Sequence, residues 1–222
     1  MARALAIAAC LIMVGSFGCG KPKEESEVKP TAGAAVLPLP FSTAGWQGAG
    51  SHHWRKNNGG ELDLTTATPP PAIDLQNENR FRDVMRQEIL RRGGALVSAD
   101  LLSGRSRVGR VVAKFPQAPS GMTYEGWLLY ERGGAGYRIT VRVPEAGITG
   151  ARDTSVFTSW MNDPPNEDDP MAGWMADPYD PSSQDPLMRN DADYAKWDSE
   201  FPSHPLSVVR VELAAIEGSL RL

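Results

Sequence analysis

From Tyr137 to Val143 the chain alternates without a break, Tyr137, Ile139, Val141 and Val143 against Arg138, Thr140 and Arg142. A period of two places the apolar side chains on one face of a strand and the polar ones on the other, so the stretch must pair into a sheet with one buried face. Just before it, Gly133-Gly134-Ala135-Gly136 supplies residues that enter positive φ at little steric cost, and Thr123 to Glu131 is a second apolar run. Residues 123 to 143 are therefore predicted as an antiparallel hairpin. Within it Tyr124 and Tyr130 share parity and hence a face, while Trp127 points to the other.

Further strands are expected at Ala95 to Ala99, Val108 to Phe115, Thr154 to Trp160 and Leu206 to Leu213, with turns at Ser103-Gly104 and Pro119-Ser120-Gly121. One helix stands out, Leu75 to Arg92, opened by Asp74 or Asn77 and stopped by Gly93-Gly94. Its Phe81, Val84, Met85 and Ile89 recur on one face. The expected fold class is α+β: one amphipathic helix on a mostly antiparallel β-meander of about six strands. A long acidic, proline-rich insertion, residues 161–205, is expected before the last strand.

That acidic stretch divides the charge. Cys19 to Trp160 holds 18 Lys or Arg against 14 Asp or Glu, whereas Met161 to Glu200 holds two against 11, within a net charge of −4. Five Asp-Pro pairs, at 163, 169, 177, 180 and 185, exclude regular helix or a central strand there. Trp174, Tyr179, Tyr194 and Trp197 argue for partial packing over full disorder. The plain reading of such a stretch is a solvated acidic loop; two partners would also suit its carboxylates. Asn162, Asp163, Asn166, Glu167, Asp168 and Asp169, or Asp177, Asp180 and Asp185, are the oxygen ligands a hard cation such as calcium takes. Alternatively the stretch folds back onto the basic residues between 80 and 114, among them Arg80, Arg82, Arg86, Arg110 and Lys114. The same basic surface would equally suit an anionic polymer or lipid headgroups.

The amino terminus has another character. Met1-Ala2-Arg3 precedes an apolar run from Ala4 to Val14 and small residues to Gly18, the build of a secretory signal peptide. As a helix, Ala4 to Gly18 would reach about 22 Å, short of the ~30 Å a membrane span requires. Ser16-Phe17-Gly18-Cys19-Gly20 resembles the lipobox of bacterial lipoproteins, with Ser16 and Phe17 where the family's pattern has Leu and a small residue. The resemblance implies cleavage before Cys19 and lipidation of its thiol. Ile7-Ala8-Ala9-Cys10 fits the same letters, but too few apolar residues precede it, and cutting there would leave Leu11-Ile12-Met13-Val14 at the new terminus. With Cys10 removed and Cys19 acylated, no thiol remains for a disulfide.

The expected domain organisation is signal peptide 1–18, lipidated N-terminus and flexible Gly/Pro-rich tether 19–72, and one α+β domain 73–222. Trp46 and His52-His53-Trp54 are expected to dock on that domain, since bulky rings are costly to leave in water. No catalytic, cofactor or metal residue is assigned. Gly104-Arg105-Ser106-Arg107-Val108 lacks the second glycine of a nucleophile elbow. Adjacent His52 and His53 do not have the spacing of a zinc helix, and His204 stands alone. Nothing pairs aromatic and basic residues into a nucleic-acid platform. The expected role is a membrane-tethered lipoprotein of the bacterial cell envelope, on the extracytoplasmic side, with a non-catalytic binding or structural function toward an envelope protein or polysaccharide. The alternative is a calcium-binding or hydrolytic extracytoplasmic enzyme using carboxylates of residues 161–200.

Overall fold

A computed structural model describes residues 39–67, 74–102 and 107–222; the expected signal peptide, Cys19, Pro69-Pro70-Pro71 and the turn expected at Ser103-Gly104 lie outside the described residues. Among the described residues the chain runs β1 (Gln47–Gly50), β2 (His53–Arg55), β3 (Glu61–Ala67), α1 (Glu78–Arg91), β4 (Ala95–Leu102), β5 (Val108–Pro116), β6 (Met122–Arg132), β7 (Ala135–Pro144), α2 (Ala151–Asn162), β8 (Met175–Ala176), β9 (Arg189–Asn190) and α3 (Pro205–Ser219). Strands β1 to β7 form one antiparallel sheet in the order β1-β2-β3-β7-β6-β5-β4, and β8 pairs with β9. The class is mixed α+β with a mostly antiparallel sheet. Among the described residues no helix is long and apolar enough to cross a membrane.

The hairpin forms as its alternation demands. Arg132 pairs with Ala135 across Gly133-Gly134, whose φ values of 60° and 77° are those of a tight two-residue turn. Parity then sorts the sheet into two faces. Tyr124, Leu128, Tyr130, Ile139, Val141 and Val143 face α3, while Val111, Ala113, Trp127 and Leu129 face α1. Helix α1 starts where Asn77 Oδ1 accepts the Arg80 N–H at 3.1 Å, and it buries Phe81, Met85 and Ile89.

Two segments expected as strands are helices. Thr154 to Trp160 lies in α2, whose inward stripe is Arg152 and Val156; a buried arginine breaks the apolar period that would have identified the helix. Leu206 to Leu213 lies in α3, so the acidic stretch precedes a helix and not a last strand. There Val209, Val211 and Leu213 mimic alternation, but the buried ladder is Leu206, Val209, Leu213 and Ile216, and Val211 is 65% exposed. Burying each of those four is worth about 1.5–3 kcal/mol. The helix can approach because β6 has Gly126 beneath it, where a Cβ would lie 2.5 Å from Leu213 Cδ1.

Within the stretch expected as tether, residues 19–72, the described residues 39–67 supply three strands. Leu62 pairs with Val141 and Leu64 with Ile139, so β3 extends the α3-facing core. Its apolar alternation covers only two residues between Asn-Gly and Pro-rich neighbours, too short to outweigh the turn chemistry around it. Trp46 and Trp54 pack against this core, as their bulk requires, with Phe41 edge-on to Trp54 at 6.1 Å.

Candidate functional site

The two carboxylate groups singled out by composition have opposite fates. Asp163, Glu167, Asp168 and Asp169 are exposed, and among the described residues none is in an ion pair. Asp177, Asp180 and Asp185 instead converge on one cation, the guanidinium of Arg86 on α1. Its Nε donates to Asp177 Oδ2 at 2.7 Å and its Nη2 to Asp185 Oδ2 at 2.5 Å, with Asp180 3.7 Å away. The hydrogen bond to Asp177 outweighs burial and raises the Arg86 pKa above its ordinary value. Among the described residues no three His, Cys, Asp or Glu side chains are arranged to hold a metal ion.

Beside this contact, Tyr179 closes the edge of β4. Its hydroxyl donates to the Ala99 carbonyl at 3.0 Å and accepts the Ala99 N–H at 2.8 Å, while Arg82 lies over its ring at 4.4 Å. A sheet edge that would invite another strand is thereby occupied.

Further along, the acidic stretch enters the interior. Lys114 on β5 and Asp193, 2% and 1% exposed, meet at 2.5 Å. Asp193 also closes a reciprocal cap with Asn190, accepting the Asn190 N–H at 2.9 Å through Oδ2. Its Oδ1 is buried without a hydrogen-bond partner among the described residues. Asp153 on α2 accepts from Asn190 Nδ2 at 3.3 Å; burial, then the charge of Asp193, pushes its carboxyl up. Arg152 pins the backbone around this pair, donating to the carbonyls of Ala192 at 2.7 Å and Tyr194 at 3.0 Å and to Asp198 at 3.0 Å. Arg210 on α3 shares Asp198 at 2.8 Å and reaches the Asp193 carbonyl at 2.5 Å. Burial pulls the Arg210 pKa below its ordinary value.

Between β4, β5, α3 and residues 189–195 this network leaves a cleft of about 330 Å³, lined by Val97, Ser98, Asp100, Arg110, Val112, Arg189, Asp193, Tyr194, Ala195, Arg210 and Leu213. A bulge shapes its floor. The β4 register shifts between Leu96 and Ser98, so Leu96 and Ala99, three residues apart, both face α1, while Val97 and Ser98 both turn toward α3. One wall is Arg110, 3.7 Å from Asp100 and 3.3 Å from Glu217 of α3. Opposite, Arg189 lies over the Tyr194 ring at 4.3 Å and donates to its hydroxyl at 2.9 Å.

A second hollow, of about 270 Å³, lies by the start of α3. There His204 Nδ1 accepts the Leu206 N–H at 3.2 Å, which leaves Nε2 to donate to Glu145 Oε1 at 3.3 Å. Burial alone would raise the Glu145 carboxyl, but His204 and the backbone N–H groups of Met122 and Gly150 outweigh it and hold it below its ordinary value. The histidines do not converge: His53 Nδ1 meets Asp63 at 2.6 Å, and His52 occupies a turn with φ 62°.

Of the residues singled out from the sequence, Arg82, Arg86, Arg110 and Lys114 do meet the acidic stretch or line the cleft, Arg80 pairs with Asp74 instead, and Arg105, the Ser106 elbow candidate and Cys19, the expected lipidation residue, lie outside the described residues. Arg152, Arg189 and Arg210 went unseen, being scattered along the chain; the charge split was the signal that such partners exist. Compared with protein-family models and with curated proteins, the sequence matches none.

Proposed function

We propose that this protein is a lipoprotein of the bacterial cell envelope, held to a membrane by lipid on Cys19, whose α+β domain serves a non-catalytic binding role through the cleft between β4, β5 and α3. The observation that carries the reading is the cleft itself. It is a concavity floored by the β4 bulge and walled by side chains whose positions the Lys114–Asp193 and Arg152–Asp198 contacts hold, and its size is at the lower end of small-ligand sites. The signal-peptide pattern of residues 1–20 supports export and anchoring. The carboxylates of the alternative, calcium-binding or hydrolytic reading give it less support, because Asp177, Asp180 and Asp185 already surround Arg86.

Two experiments test the parts separately. Cys19→Ala should abolish fatty-acid labelling and detergent-phase partitioning while Cys10→Ala leaves both intact; the reverse would move the anchor to Cys10. For the cleft, backbone amide NMR of the soluble domain with small aromatic and aliphatic probes of both charges should shift Ser98, Asp100, Arg110 and Ala195. Ala195→Trp, which fills the cleft from its exposed side, should remove those shifts. Probes that leave these amides unmoved would end the cleft reading.

A further inference from the structure

The cleft is short of negative charge at one defined point. Three guanidinium groups line it against two carboxylates. Arg110 is met by Asp100 and Glu217, and Arg210 by Asp198 and the Asp193 carbonyl. The Asp193 carboxylate is taken by Lys114. Arg189 is left: among the described residues its only side-chain partner is the Tyr194 hydroxyl, and no carboxylate lies within 4.0 Å of it. The group is nonetheless held in place, since its backbone pairs with Ala176 across the β8–β9 ribbon and its guanidinium lies over the Tyr194 ring.

We infer, on the reading that the cleft is the binding site, that it takes a small carboxylic acid with an apolar body, the carboxylate seated on Arg189 and the body against the exposed Tyr194 ring and Ala195. A planar guanidinium offers a carboxylate two parallel N–H donors, and an arginine already positioned loses less conformational freedom on binding than a free one. The apolar wall adds what an inorganic anion has no means of using. A neutral ligand would leave the Arg189 charge unmatched, and a cationic one would oppose it.

Calorimetric titration at low ionic strength with benzoate, benzamide and inorganic phosphate tests this. Benzoate should bind about tenfold or more tightly than benzamide, its neutral counterpart. Arg189→Met should remove that preference while leaving benzamide unchanged, Arg189→Gln should behave alike, and Arg55→Met, far along the sheet, should have no effect. Equal binding of benzoate and benzamide, or an unaltered benzoate affinity in Arg189→Met, overturns the inference and leaves a cleft that binds neutral ligands. Phosphate binding as tightly as benzoate overturns the requirement for an apolar body. If none of the three binds and no probe shifts the cleft amides, the reading of the cleft as a site fails with it.

Discussion

Residues 162–169 and 177–198 are both rich in aspartate, with prolines beside several of the acids, yet the first stretch stands in solvent and the second is built into the molecule. The difference is not in the acids. It lies in whether a cation on another element waits at the right distance: Arg86 for Asp177, Asp180 and Asp185, Lys114 for Asp193, and Arg152 with Arg210 for Asp198. Acidic composition therefore says that a segment needs counter-charge or water, and only packing says which it obtains.

The strongest way to break the contrast is to strand one buried charge. Lys114→Met leaves Asp193 uncompensated and should cost about 3–5 kcal/mol in urea denaturation, while Lys114→Met with Asp193→Leu should recover part of that loss. Recovery would show that the cost comes from desolvation of an unpaired group. An undisturbed single variant would refute the buried pair.

Next comes the anchored rim. Arg86→Ala removes hydrogen bonds to Asp177, Ser183 and Asp185 at a partly buried position and should cost about 1.5–3 kcal/mol. It should also speed hydrogen exchange at the Ala99 amide, which Tyr179 protects only while its segment stays docked. Exchange at Ala99 unchanged from wild type would separate the Arg86 cluster from the Tyr179 contact.

Acid titration then distinguishes two carboxylates that burial raises alike but whose partners act in opposite directions. Glu145 has a native pKa below its unfolded value, so its contribution is present above that unfolded value, about 4.3, and is lost as pH falls through the native one. Glu145→Gln should thus flatten the acid limb of the stability curve. For Asp153 burial and Asp193 raise the pKa, so stability falls as pH rises from its unfolded value, about 3.9, through the native one. Asp153→Asn should be the more stable protein above that window and match the wild type below it. A variant less stable than wild type at neutral pH would show that the Asp153 charge is needed by Lys114.

The smallest effect sharpens the comparison from the other side. Neutralising Asp163, Glu167, Asp168 or Asp169 singly should change stability by less than about 0.5 kcal/mol, since each is exposed and unpaired among the described residues. A larger loss at any of them would reveal a partner.

Much of the sheet was legible because a buried face imposes its period on neighbouring residues. β4 to β7 and the inward face of α1 follow from alternation and from the spacing of Phe81, Met85 and Ile89. The misreadings have specific causes. Arg152 is inward but polar, so the apolar stripe of α2 shrinks to Val156, Phe157 and Trp160 and its helical period is short; Val211 is apolar but outward, so α3 imitates a strand; and β3 offers just Leu62 and Leu64 within turn-rich surroundings. Of the cleft, Arg110 stood out as part of a basic group, while Arg189 and Arg210 had no neighbours to mark them.

Local order was thus written in the chain, in its hairpin, the helix that covers it and the excess of acid after Trp160, because hydrophobic period and turn chemistry act between residues close in sequence. The lipobox resemblance around Cys19 is of the same local kind. Folding alone assigned the partners. Lys114 and Asp193 are 79 residues apart, Arg86 and Asp185 are 99 apart, and the bulge that turns Ser98 toward α3 is defined only against β5. Charge complementarity has no sequence period, since any arginine can serve any aspartate; which pair forms is decided when the sheet and α3 bring them within a few ångströms and exclude the water that would otherwise solvate both.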